Sequence, residues 1–151
     1  MDGQVNMEGS ILANACTLAM ESRYQSINMG SENIEKMRRT GQGKRKEFSI
    51  YLTECSLEDG LSNSEPWHYL QVTFDGISNN GLFDISGSAG GIALQLTNKY
   101  GESAIPGRPM SYVRIDNKSI RLDYVLQLKT THDHLRVGEY SSVIKYRVTY
   151  F

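Results

Sequence analysis

The chain has 151 residues, enough for one domain with a full core and too few for two of ordinary size. Sixteen basic and seventeen acidic side chains leave a formal charge of -1, which excludes the electrostatic footprint of a nucleic-acid binder or a polybasic membrane anchor. No apolar run approaches the roughly eighteen residues of a membrane span, and no signal-peptide core opens the chain, so a soluble protein is expected, either cytosolic or exported and already trimmed.

Val5, Met7 and Ile11 alternate along a first strand, with Gly9 where a strand can bend or bulge. A weak strand is expected at Ser26 to Met29. The one helical piece is Ser31 to Arg39, where Ile34 and Met37 sit three apart and Ser31 is placed to cap. The basic run Lys36 to Lys46, broken by Gly41 and Gly43, reads as a solvated loop. Phe48, Ile50 and Leu52 mark the next strand, and Cys55 falls out of phase at its end. Leu70, Val72 and Phe74 form another, closed by the turn pair Asp75-Gly76. Ile92, Leu94 and Leu96 follow, then Leu122, Tyr124, Leu126 and Leu128.

The last strand, Gly138 to Phe151, is the most regular. Tyr140, Ser142, Ile144, Tyr146, Val148 and Tyr150 fall on one face, and Ser141, Lys145, Arg147 and Thr149 on the other. Asn79-Asn80-Gly81, Tyr100-Gly101-Glu102 and Pro106-Gly107-Arg108-Pro109 supply turn chemistry between strands. Many short strands and scarcely any helix point to an antiparallel sandwich. Six strong strands and a weak one approach an immunoglobulin-like domain whose final edge strand is missing, so the last strand needs a partner from outside.

Other constellations are weaker. Gly87-Ser88-Ala89-Gly90-Gly91 has the composition of a phosphate loop, but the strand at Ile92 follows it where a helix would be required. His132-Asp133-His134 offers two imidazoles without an evident third metal ligand and reads as a turn. Asn117-Lys118-Ser119 matches a glycosylation sequon, which matters only in a compartment where sequons are read. Trp67, beside His68, reads as filler under a loop or as a glycan-contacting surface. No nucleophile elbow or other catalytic constellation is present, and no cofactor, metal or small-molecule substrate is expected. Cys16 and Cys55 are too far apart for a C-x-x-C redox motif and too few for a zinc site, leaving a single disulfide or two buried thiols.

The joint pattern resembles pilins of the chaperone/usher pathway, the subunits of Gram-negative surface fimbriae. It rests on a glycine fourteen residues from the end (Gly138), the penultimate Tyr150, Gly9-Ser10-Ile11 ahead of Ala15-Cys16-Thr17, and Cys55 closing a later strand. The stretches Ala15 to Glu21, Val72 to Gly76, Ser86-Gly87 through Gly91-Ile92, Leu122-Asp123-Tyr124 and Arg147 to Tyr150 are most similar to the terminating, base-anchoring subunit of P pili.

The resemblance, which spans residues 1–151 as one pilin domain, implies an all-β, incomplete immunoglobulin-like Greek-key sandwich. Such a fold lacks its C-terminal strand and is completed by a donated one. It further implies a Cys16–Cys55 disulfide and a strand-accepting groove at Val5, Met7, Ile11, Tyr140, Ile144, Tyr146, Val148 and Tyr150. Implied partners are a periplasmic pilus chaperone, the outer-membrane usher and a neighbouring pilin; the implied location is the periplasm and then the fimbrium.

The implied function is structural. A terminator takes the chaperone's strand without onward exchange, ends fibre growth and anchors the base, whereas an adaptor or shaft pilin exchanges it; a glycan-binding adhesin domain is the alternative of another class. Because so few residues precede Val5, the N-terminal donor extension is expected to be absent from this chain.

Overall fold

The computed structural model describes residues 1–12, 15–56 and 68–151. Among these, alternation along the chain produces two sheets packed face to face. In chain order the elements are β1 (Asp2–Ile11), β2 (Thr17–Leu18), α1 (Met20–Arg23), β3 (Tyr24–Ser31), α2 (Ile34–Thr40), β4 (Gln42–Thr53), β5 (Tyr69–Asp75), β6 (Ser78–Asn79), β7 (Leu82–Phe83), β8 (Ser86–Gly87), β9 (Ile92–Asn98), β10 (Val113–Arg114), β11 (Ile120–Thr130) and β12 (Tyr140–Tyr150). One sheet runs β10-β5-β12-β1-β3, with β8 also paired to β12; the other runs β2-β4-β11-β9-β7-β6.

The inward faces of both sheets meet in one apolar core. Phe74 of β5 stands at its centre. Its ring meets Tyr124 of β11 at 4.9 Å, Tyr146 of β12 at 5.7 Å and Phe48 of β4 at 6.2 Å, so each sheet contributes rings to the same cluster. The disulfide Cys16–Cys55 spans 39 positions and joins the segment before β2 to the end of β4. Closing a loop of that length restricts the unfolded chain by about 4 kcal/mol in the chain-entropy account.

Three expectations are corrected. The short helix begins at Ile34 and is capped by Asn33, not Ser31: the Asn33 Oδ1 accepts from the backbone N–H groups of Glu35 at 2.8 Å and Lys36 at 3.2 Å. The basic run is not a loop, because its first half forms α2 and its second half the opening of β4, with Gly41 in a left-handed conformation between them. The last strand is not an uncovered edge, since β12 lies inside its sheet between β5 and β1. It was expected to lack a partner because strand counting found no later segment to pair with it; long-range pairing puts β1, from the other end of the chain, at its side.

Candidate functional site

The seam between β1 and β12 is built from two alternating strands running parallel; the other strand pairings among the described residues are antiparallel. Its register pairs Gly3 with Tyr140, Val5 with Ser142, Met7 with Ile144, Gly9 with Tyr146 and Ile11 with Val148. Just past β1, the Leu12 N–H donates to the Val148 carbonyl at 3.2 Å. The flank of β1 away from β12 is taken by β3, antiparallel, with a bulge between Gly3 and Gln4. An immunoglobulin-like sandwich gives this place to a C-terminal strand; here the chain's own first strand holds it.

The residues expected at the groove are thus brought together, in two different roles. Tyr140, Ile144, Tyr146, Val148 and Tyr150 form the buried face of β12. Val5 and Met7, both fully buried, and the half-buried Ile11 belong to the strand that fills the seam instead of lining it. The cause is geometric: with β1 parallel to β12 and in this register, the odd-numbered side chains of β1 point into the same core as the even-numbered ones of β12.

Two contacts shape the seam. A Cβ built on Gly3 would fall within the ring of Tyr140, and one on Gly9 within the ring of Tyr146. The tyrosine rings therefore lie across the β1 backbone where it carries no side chain, a cross-strand glycine–aromatic packing. At the Gly9 end the ring is fastened by its tip, because the Tyr146 hydroxyl donates to the Ser22 carbonyl of α1. That turn is held in place from β4: the Tyr51 N–H donates to the Ser22 Oγ at 2.8 Å, and the Ala19 N–H to the Tyr51 carbonyl at 3.0 Å.

At the Gly3 end the Tyr140 hydroxyl is buried with no hydrogen-bond partner among the described residues. The adjoining Glu32 is buried, its Oε1 accepting from the Lys44 N–H at 2.6 Å. Burial, with the charges of Glu32 and Asp2 adding to it, pushes the Tyr140 phenol up to about 12. Burial likewise raises the Tyr146 phenol, against a smaller opposing effect of Arg23. Tyr150 is pushed up to about 12 by burial, partly offset by its hydrogen bond with the Cys16 backbone.

Gly138 stands two residues before β12, packed on the loop after β8, where a Cβ would come within 2.6 Å of the Ala89 backbone nitrogen. Any side chain there would push the start of β12 off that loop. His132, Asp133 and His134 lie between β11 and β12, and among the described residues no three His, Cys, Asp or Glu side chains gather to hold a metal. Trp67 lies outside the described residues. Elsewhere, Tyr69, Tyr112 and Phe151 form an exposed ring cluster beside a cavity of about 440 Å³ lined in part by Asn98, Arg114, Asp116 and Asn117.

The fold and this seam define a pilin-type immunoglobulin-like sandwich. Its likeness to the crystal structure of the P pilus rod subunit PapA has a TM-score of 0.79 over 91% of this chain and 99% of that one, at 19% identity. No family model matches the chain. Its sequence is 32% identical to the PRS fimbrial minor pilin protein of Escherichia coli, over 99% of this chain and 77% of the relative. The PAP fimbrial minor pilin protein of Escherichia coli gives the same identity and coverage, and the major MR/P fimbria protein of Proteus mirabilis is 22% identical over 98% of this chain and 83% of its own length. The chain belongs to the fimbrial minor pilins, structural subunits of chaperone–usher fibres and not enzymes.

Proposed function

We propose that this minor pilin ends fibre growth and anchors the fibre base at the outer-membrane usher, taking a periplasmic chaperone's strand beside β12 and not passing that place to a further subunit. It would act in the periplasm and then at the base of the fimbrium. The observation that carries the reading is the filled state of the seam. With the rings of Tyr140 and Tyr146 across it, an incoming bulky strand finds no vacant pocket at either position in which to begin displacing a resident one. The higher identity to two minor pilins, 32%, than to the rod subunit PapA, 19%, supports the same reading.

The test is displacement. The chaperone-bound chain is mixed with a peptide copy of a donor extension from a rod pilin, and chaperone release is followed over time. The expected result is retention of the chaperone over the period in which a rod pilin gives it up; rapid release makes this an ordinary adaptor or shaft subunit. A second reading, glycan recognition, is favoured by the exposed Tyr69, Tyr112 and Phe151 rings beside the polar cavity, since sugars stack on aromatic faces. Chemical-shift changes at these residues on titration with fimbrial-receptor oligosaccharides would support it, and unchanged spectra dispose of it.

A further inference from the structure

The formal charge of -1, which argues against a polybasic anchor for the chain as a whole, averages two unlike regions. Six of the sixteen basic side chains, Lys36, Arg38, Arg39, Lys44, Arg45 and Lys46, fall in one short run that holds no carboxylate, so the rest of the chain carries ten basic against seventeen acidic. The fold gathers the run at one end of the sandwich, because α2 turns at Gly41 directly into β4 and puts three cations on the helix and three on the opening of the strand. Lys44 and Lys46, two apart along β4, both reach Gly30. A Cβ built there would lie 3.9 Å from the Lys44 Nζ and 3.7 Å from the Lys46 Nζ, so two ammonium groups crowd one spot. The first is held in place, donating to the Ser31 carbonyl at 2.8 Å.

No counter-charge among the described residues neutralises this face. Of the six cations only Arg38 is ion-paired, to Glu35 at 2.7 Å. Glu32 is buried and takes the backbone N–H of Lys44, and Asp2, opposite Ser31 on the neighbouring strand, pairs with neither lysine. Across the ladder Arg45 and Lys46 face Gln127 and Leu126. Lys145, on the outer face of β12, is placed quite differently, between Asp75 and Glu8 of its two neighbouring strands. Like charges brought together repel, and an anion from outside relieves them. The kind of anion follows from a second observation: no large apolar side chain stands exposed between Gly30 and Lys46. Protein interfaces are centred on aromatic and apolar anchors and are poor in lysine, whereas a cationic face without such anchors suits a layer of phosphates.

We propose that this end of the molecule docks on the headgroups of an anionic phospholipid surface, with Lys44 and Lys46 straddling one phosphate and the cations of α2 meeting its neighbours. This deepens the reading of a fibre base anchored at the outer membrane and rests on it only for the nearness of a membrane. Each Lys or Arg close to such a surface strengthens partitioning by about fivefold at low salt.

The experiment sediments the folded full chain with vesicles of phosphatidylcholine alone and with vesicles of phosphatidylcholine and phosphatidylglycerol in equal parts. Binding is expected to the second only, weakening steeply as salt is raised. Lys44→Gln combined with Lys46→Gln should lower the partition coefficient about twenty-fivefold, and Lys44→Arg with Lys46→Arg should preserve it. Lys145→Gln with Arg147→Gln removes the same net charge elsewhere and should change it by no more than about twofold. Equal losses from the two glutamine pairs overturn the proposal, as does binding that ignores salt or headgroup charge. A chain that passes over both vesicles and is retained on polyglutamate assigns the face to an acidic protein and ends the lipid reading. The two readings fail separately: rapid chaperone release removes the terminator and leaves vesicle binding untouched, while indifference to vesicles removes the lipid surface and leaves the seam as it stands.

Discussion

Tyr140 and Tyr146 offer the same chemical perturbation in two different surroundings, and the structure assigns them different outcomes. Tyrosine to phenylalanine removes one hydroxyl and leaves the ring. At Tyr146 that hydroxyl donates to the buried Ser22 carbonyl, so Tyr146→Phe strands an acceptor in the core and is expected to cost about 1–3 kcal/mol. At Tyr140 the hydroxyl has no partner among the described residues, so its removal relieves a desolvation cost and should leave stability unchanged or raise it by up to about 1 kcal/mol. The two variants should therefore differ by roughly 2 kcal/mol, which for a domain of this size is about 4–8 °C in Tm. Equilibrium urea unfolding is the assay, with the midpoint compared at an unchanged slope so that the difference reports native-state energetics. If Tyr140→Phe loses as much as Tyr146→Phe, the assignment of one paired and one orphaned hydroxyl is wrong, and with it the account of how the seam is fastened at one end.

The same tyrosines predict an alkaline weakening. Their folded pKa values are raised above the ordinary phenol value near 10, so the folded state holds protons that the unfolded state releases; the stability is whole below about pH 10 and falls as the pH rises through about 12. Tyr140→Phe should flatten that fall in a series of melts from pH 9 to 12, and an identical slope in the variant argues against the shift. Replacing Cys16 and Cys55 by alanine together should cost about 4 kcal/mol in denaturant unfolding; a loss under about 1 kcal/mol means the loop closure contributes little. Met7→Ala, made at a fully buried position of β1, should cost about 2–5 kcal/mol, whereas Asn6→Ala on the outer face of the same strand should stay within about 0.5 kcal/mol. Equal losses from the two would show that β1 does not pack as described.

Much of this was legible in the residues because alternation is a local property. The six inward residues of β12, the runs around Phe48, Leu70, Ile92 and Leu122, and the weak strand near Ser26 all emerge as strands where period two placed them. What was hidden depends on distance along the chain or on competition between neighbours. Asn33 outdoes Ser31 as a cap because it stands directly before Ile34, with Glu35 in the first turn and Gly41 past the end. The helical turn at Met20–Arg23 carries no capping side chain and left no mark in the sequence. The pairing of Gly3 with Tyr140 joins the two ends of the chain, and no local pattern announces it. A signal was nevertheless there: Gly3 and Gly9 share a face with Val5 and Met7, and their spacing matches that of Tyr140 and Tyr146.

The occupied seam also constrains when a partner can act. β1 is tied to the fold at Ala15 and Cys16, a few residues beyond its end, and Cys16 is locked to Cys55. A strand tethered so closely faces its site at an effective concentration on the order of mM, so a free partner strand competing after folding must overcome that advantage at every encounter. A partner that meets the chain before β1 has docked faces no such competition. The order of addition should therefore decide the product: chain refolded in the presence of a chaperone should emerge as the complex, while chain folded alone and then given the same chaperone should remain self-filled for as long as the unfolding rate allows. Size-exclusion chromatography separates the two products. Identical yields of complex from both orders would mean that β1 leaves the seam readily, and that the rings of Tyr140 and Tyr146 do not hold it.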